Sequence, residues 1–459
     1  VQSGPALILV LVSFLCAACS VVAILVQQSL LPSGLFNAGQ REYDLLSRAV
    51  LVLFSMLVLI FGLELLRRRI TLLGNLARVS LASFLLFELA VTVFDIGWVS
   101  RDPRSRFAGP YFERPMRSGE WIFLRKAPEG SEFGFRMPRA EPRVSPVPRV
   151  LFLGDSYTEG SGSDFACNYP SVVESALTRR LGDSVDVMNA GVGGYGPVDE
   201  WKMLRFLDEE GFRFDAIVLN LFLENDFVDY LPGTERRVVA GMNFRYPTSS
   251  FLRAFHPLNS RVVRYAVFLW RTAPLVGPPP APISVDPTRC QEAPETTVLL
   301  DDALRPLVER RLKANYEDPM TALTLAEVKQ AVTSIEEFAA ARGVPLVLVV
   351  FPDRIVADAE LRSALRLDER GVAYDLTRLQ RWVREAFPQL PQIDVNEVLA
   401  GSSGSYIPND THLSDVGNVR AGEFVADRLA EILGPRLRRD SPSGPGESPR
   451  AGPPARTDR

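Results

Sequence analysis

Four short segments, in this order along the chain, hold the residue types that nucleophilic acyl transfer needs. They are Gly154-Asp155-Ser156-Tyr157, Asn189-Ala190-Gly191-Val192-Gly193-Gly194, Glu224-Asn225-Asp226 and Asp410-Thr411-His412. A serine hydroxyl becomes a nucleophile when a neighbouring base takes its proton, and an acid on the far side of the base fixes its tautomer. Ser156, His412 and Asp410 can fill those three roles. The developing oxyanion needs preorganised donors, and the Ser156 and Gly194 N–H groups and the Asn225 amide can supply them. Each segment alone is a common peptide, so their order and setting carry the weight. Histidine usage points the same way. The chain has only two, and His256, in Phe255-His256-Pro257, has no adjacent acid and reads as structural, which leaves His412 as the base.

The elements around these segments place them together. Residues 150–153 form a short apolar run ending at glycine, as a buried parallel strand does. Further strands are expected at 185–188, 216–223, 344–351 and near 393–395, with helices at about 169–181, 197–211, 323–342 and 415–433. Strands alternating with helices imply a three-layer α/β/α fold around a parallel sheet. Ligand sites in such sheets lie beyond the carboxyl ends of the strands. Ser156, Gly194 and Asn225 each follow a predicted strand there, and His412 precedes the last helix.

With this setting the segments resemble the SGNH, or GDSL-type, hydrolases, whose flavodoxin-like fold and Ser, Gly, Asn and His blocks the chain matches over roughly 148–228 and 340–433. The resemblance implies Ser156 as nucleophile, Gly194 and Asn225 with the Ser156 N–H as oxyanion donors, and His412 as base with Asp410 as its acidic partner. It gives Asp155 a structural part. Gly-Phe-Arg at 134–136 resembles membrane-anchored bacterial members. Two departures stand out. Glu224 occupies a position often held by glycine, and its carboxylate is expected to point away from the oxyanion. Asp410 and His412 are two apart where the family usually has three. The Asp-Thr-His form resembles the SGNH-like domains of bacterial polysaccharide O-acetyltransferases, including those of alginate.

The rest of the chain sets the surroundings. Apolar runs at 5–27, 49–66 and 79–99 are each near the roughly 20 residues a helix needs to cross a bilayer. Arg67, Arg68, Arg69 and Arg78 put the second loop in the cytoplasm, and everything after Trp98 outside. The expected organisation is a transmembrane region at 1–99, a membrane-proximal linker at 100–147, a catalytic domain at 148–434 with an insertion at about 230–322, and a disordered tail at 435–459. Within the insertion, 262–270 reads as helical and the Pro-rich 278–282 as extended. Cys167 and Cys290 fall in the extramembrane part, and the sequence leaves open whether they pair. A net charge of -4 gives no basic footprint for nucleic acid. Two distant histidines and no clustered cysteines support no metal site, and no cofactor motif is present. Of the 51 basic residues 47 are arginine, a skew that suggests a GC-rich, bacterial genome. The expectation is a membrane-anchored serine esterase facing outward, with an acyl-ester substrate drawn from acylated cell-surface polysaccharide or lipid. The alternatives are an O-acyltransferase using the same residues with a membrane partner that loads it, or a non-catalytic glycan-binding scaffold in which Glu224 marks a disabled site.

Overall fold

A computed structural model describes residues 78–86, 111–125, 133–136, 142–227, 234–239, 242–247, 249, 290, 304–317, 321–367, 374–402 and 404–438. Strands β1 (Tyr111–Pro115) and β2 (Trp121–Arg125) form an antiparallel hairpin. A five-stranded parallel sheet follows, made of β3 (Arg149–Leu153), β4 (Asp186–Asn189) and β5 (Ala216–Phe222). After a second hairpin, β6 (Thr234–Val239) and β7 (Met242–Pro247), the sheet is completed by β8 (Leu346–Phe351) and β9 (Gln392–Asp394). The order across the sheet is β4-β3-β5-β8-β9. In chain order that is 2-1-3-4-5, the flavodoxin-like arrangement, whose switch point lies between the first and third strands. Ser156 and Asn225 sit just beyond the ends of those two strands, β3 and β5.

The helices are α1 (Ser156–Glu159), α2 (Tyr169–Leu181), α3 (Pro197–Glu209), α4 (Leu304–Tyr316), α5 (Thr321–Ala341), α6 (Arg354–Ala357), α7 (Ala359–Ala364), α8 (Arg378–Ala386), α9 (Asn396–Leu399) and α10 (Asp415–Leu437). Strands β3, β5 and β8 are buried along their whole length, so both faces of the sheet must be covered. The period of two divides their side chains. Leu151, Leu153, Leu219 and Leu221 pack with α3, α5 and α8 through residues such as Leu204, Val332 and Leu379. Val150, Phe152, Val218 and Phe222 face the other way, toward Val173 of α2 and Val425 of α10. Helix α2 starts where Asn168 accepts a hydrogen bond from Ser171 N at 2.9 Å with Pro170 in its first turn, a strong start signal. Helix α10 starts on Ser414, which accepts from Gly417 N at 3.1 Å, two residues after His412.

Strand β5 stops at Phe222 because Asp226 accepts its N–H at 2.8 Å and turns the chain into the crevice. The stretch 100–146, which shows no periodicity, contains the β1–β2 hairpin. Ile122, Phe123, Leu124, Phe133 and Phe135 are buried in the main core with α3. The apolar runs at 5–27 and 49–66, most of 79–99, the 262–270 and 278–282 readings, His256 and the tail beyond 438 lie outside the described residues. Residues 78–86 are helical, with Val79, Leu85 and Leu86 exposed. Among the described residues no helix is long and apolar enough to cross a membrane.

Cys167 and Cys290 form a disulfide that closes 123 residues of sequence separation. It joins the insertion to the 3₁₀ turn Phe165–Cys167, shortly after the Ser156 helix. Closing a loop of this length removes denatured-state entropy, and loss of such a bond costs about 2–5 kcal/mol. Reduction, or Cys167→Ser, is therefore expected to lower the unfolding free energy by that amount in urea titrations monitored by fluorescence.

Candidate active site

Helix α1 begins at Ser156, immediately beyond β3, with Asp155 as its cap accepting the Tyr157 N–H at 2.9 Å. His412 comes from the opposite side of the crevice. Its Nε2 lies 2.8 Å from Ser156 Oγ and its Nδ1 lies 2.9 Å from Asp410 Oδ1. An ionised carboxylate only accepts, so the proton sits on Nδ1 and the Nε2 lone pair faces the serine hydroxyl. Asp155 Oδ2 is a weaker competitor for that hydroxyl at 3.4 Å.

The two-residue spacing of Asp410 and His412 works because the loop carrying them is tightly folded. Ile407 N donates to His412 O at 3.0 Å, and Tyr406 and Leu413 form a bridge. The buried Arg354 donates to Ile407 O at 2.7 Å and to Asp410 O, while Tyr157 OH donates to Thr411 O. Charge then separates the two titrating groups. Burial pushes the Asp410 carboxyl up, but the His412 hydrogen bond and charge and two backbone N–H groups outweigh it and hold it at about 2. Burial pushes His412 down, but the hydrogen bond and charge of Asp410, with Asp155 and Glu224 behind it, raise it above its usual value. The His412 side chain is 23% exposed, enough for a substrate to reach Nε2.

Three glycines crowd the second segment, and their N–H partners tell them apart. Gly191 N donates to Asn189 Oδ1 at 3.0 Å, and Gly193 N donates to Glu159 Oε2 at 2.8 Å. Gly194 N has no partner among the described residues, nor has Ser156 N at the start of α1. Gly194 holds φ +82°, which only glycine adopts freely, and it is partly exposed while its neighbours are buried. Asn225 is fixed by Asp155, since its Nδ2 donates to Asp155 Oδ2 at 2.9 Å. A flipped amide would set oxygen against oxygen, so the amide nitrogen is the atom held beside Ser156. Asp155, besides capping α1, thus orients Asn225 and bridges the first and third segments.

Several contacts that hold this geometry escaped the sequence reading. Glu159 grips Gly193 N and is itself paired with Arg125 at the end of β2. Tyr195, next to Gly194, donates through its hydroxyl to Phe123 O. The β1–β2 hairpin therefore backs the Gly193-Gly194 turn. Arg136 of the Gly-Phe-Arg motif donates to Gly160 O and to Ser163 O, the latter at 2.6 Å, clamping the exit of α1. Glu224 is 1% exposed and its carboxylate is turned to Arg311 of α4, whose Nη1 also reaches Thr411 Oγ1 at 3.4 Å. The Arg136 motif and Glu224 had local sequence signals, but their partners did not. The other contacts join residues from separate parts of the chain.

Residues 312–442 match the family described as SGNH hydrolase-like domain, acetyltransferase AlgX. The matched stretch holds Asp410 and His412, whereas Ser156, Gly194 and Asn225 precede it. No curated protein matches the sequence. Among solved structures the chain is similar to a lipolytic protein of the G-D-S-L family from Desulfitobacterium hafniense DCB-2, at 11% identity over 61% of this chain and 99% of that one, with a TM-score of 0.31. It is also similar to TesA, at 13% identity over 62% and 99%, TM-score 0.33. A third is a two-domain esterase (CEX) active on acetylated mannans, co-crystallised with mannopentaose, at 12% identity over 65% and 52%, TM-score 0.31. Scores at this level add no weight to the geometry. Over residues 312–442 the chain is thus similar to an SGNH hydrolase-like domain.

Proposed function

We propose that the protein is a membrane-anchored serine acyl-ester hydrolase working outside the cytoplasm on acylated cell-surface glycan or lipid. The observation that carries this reading is the hydrogen-bonded chain from Ser156 through His412 to Asp410, at 2.8 and 2.9 Å. Ser156 Oγ attacks the ester carbonyl as its proton passes to His412 Nε2. The carbonyl oxygen, now negative, takes hydrogen bonds from Ser156 N, Gly194 N and Asn225 Nδ2. Collapse breaks the ester C–O bond, and the leaving alkoxide collects the proton from Nε2. Water then gives a proton to Nε2 and attacks the acyl-serine, and the second collapse breaks the acyl–Oγ bond as Nε2 returns that proton to Ser156 Oγ and the acid is released. Asp410 stays ionised throughout and stabilises the imidazolium. An intact chain of this kind, with Glu224 neutralised by Arg311, speaks against a disabled scaffold.

The extracytoplasmic setting draws support from the Cys167–Cys290 disulfide, a bond that persists in oxidising compartments. The membrane anchor draws support from the three apolar runs and from the exposed Val79, Leu85 and Leu86 on the helical 78–86. A second reading is favoured by the match to an acetyltransferase family. In that reading a glycan hydroxyl replaces water at the acyl-serine and a new ester forms, the acyl group coming from a separate membrane partner.

The test uses the full chain in detergent. A fluorophosphonate probe is expected to label one residue, mapped by peptide mass spectrometry to Ser156. With an acetylated mannan oligosaccharide, the hydrolase reading expects free acetate. Acetyl appearing on an added acceptor oligosaccharide instead would establish the transferase reading. Absence of label together with absence of turnover would overturn both.

A further inference from the structure

The helix α4 belongs to the segment inserted between β5 and β8, yet it reaches the centre of the site. Asn315, one turn beyond Arg311, donates to Glu224 O at 3.0 Å and to Leu223 O at 3.3 Å. Arg311 grips the Glu224 carboxylate and touches Thr411, the residue between Asp410 and His412. The contact therefore spans the crevice, from the Asn225 side after β5 to the loop that carries His412. Its chemistry is specific. Glu224 is adjacent in sequence to an oxyanion donor, is 1% exposed, and its Oε2 has no hydrogen-bond partner among the described residues. An unneutralised carboxylate there would oppose negative charge growing on the substrate oxygen and hold the imidazole too basic.

Building on the hydrolase reading, we propose that Arg311 is a positioning residue, which neutralises Glu224 beside the reacting centre and ties the His412 loop to the oxyanion side. The inserted segment is then part of the catalytic architecture. The charged and titratable groups around His412 make the idea measurable. Asp410 lies on its own loop, Asp155 precedes α1, Glu224 follows β5, the Tyr157 ring stands 5.6 Å from the imidazole, and Arg354 holds the Asp410 carbonyl. On its far side Glu224 faces Asp353 and Tyr316. Burial and the Glu224 charge push Asp353 up to about 7.

The experiment compares Arg311→Lys, Arg311→Met, Glu224→Gln and the Glu224→Gln/Arg311→Met pair in the full chain. Hydrolysis of p-nitrophenyl acetate is divided by the number of fluorophosphonate-reactive sites, so misfolded protein is not counted. Arg311→Met is expected to lower kcat per site about 10- to 100-fold with KM changed less than about threefold, and Arg311→Lys to recover part of the loss. The acidic limb of kcat/KM separates charge from mere packing. Glu224→Gln removes a charge that raises His412 and should move the limb to lower pH. Arg311→Met exposes that charge and should move it the opposite way. The double variant should restore the limb but not kcat, because the tie to Thr411 is still missing. Variants that lose thermal stability yet keep wild-type kcat per site and an unmoved limb would overturn the proposal while leaving the hydrolase reading intact. A wild type that neither labels nor turns over ester would overturn the hydrolase reading, and this proposal with it.

Discussion

Ser156→Ala is expected to lower kcat for p-nitrophenyl acetate by about 10⁴- to 10⁶-fold, the scale on which a serine nucleophile is lost when its base and oxyanion donors remain. The loss is large because, among the described residues, no other hydroxyl hydrogen-bonds His412 Nε2, where Ser156 Oγ sits at 2.8 Å. The carboxylate of Asp155 cannot substitute, since it caps Tyr157 N and holds Asn225. Stability should hardly change. The substitution removes one hydroxyl from a partly exposed position, and its net hydrogen bond is worth about 1 kcal/mol. Urea midpoints of wild type and variant should therefore nearly coincide, and the variant should take no fluorophosphonate label. Turnover equal to wild type in the variant would remove Ser156 as nucleophile.

How the site could be read from the sequence depends on where each residue's information lies. Ser156, Gly194 and Asn225 follow the carboxyl ends of short strands with apolar centres, so the strand pattern locates them on one edge of the sheet. His412 is legible because the chain has so few histidines and because Ser414 starts a long amphipathic helix just after it. Gly194 is distinguished from its two neighbouring glycines only by the fold, in which Asn189 and Glu159 already occupy the N–H groups of Gly191 and Gly193. Glu159 carries no signal at all in one dimension. Its partner Arg125 is 34 residues earlier, on a five-residue strand whose hairpin mate, Tyr-Phe-Glu-Arg-Pro, has no clean alternation. Arg311 is 87 residues from Glu224 and 100 from Thr411. Contacts made between segments that far apart leave no periodicity to detect.

Glu224 shows how a departure from pattern becomes intelligible. Placed beside an oxyanion donor, a carboxylate conflicts with the chemistry around it, and local conflicts of that sort concentrate at functional sites. The conflict is resolved by a charge supplied from elsewhere in the chain, not by turning the side chain to solvent, because Glu224 is buried and ion-paired. A buried pair of this kind costs desolvation of both ions, and removing one partner is much worse than removing both. That asymmetry is why the Arg311 and Glu224 variants must be read as a set.

Asp410→Asn is the second substitution with a large expected effect, about 10³- to 10⁴-fold in kcat. An amide at this position can donate to Nδ1, which would shift the imidazole proton to Nε2 and aim an N–H, not a lone pair, at Ser156 Oγ. The pH profile supplies an independent sign. In the wild type the Asp410 hydrogen bond and charge raise His412, so kcat/KM, which needs the neutral imidazole, should begin to fall at a pH above that of an ordinary histidine. Removing the carboxylate removes the main cause of that rise, and the acidic limb should move to lower pH even as the plateau collapses. The same charge is linked to folding. Asp410 is held at about 2, below its usual 3.8, so its contribution to stability is present above the usual value and lost as pH falls from about 4 toward 2. Because Asp410 is 45% exposed and solvent screens the pair, that contribution is small. Urea midpoints of wild type and variant should therefore differ modestly at neutral pH and converge in acid. A variant with full kcat and an unmoved limb would show that His412 is oriented without Asp410, by the Arg354 and Tyr157 contacts to its loop alone.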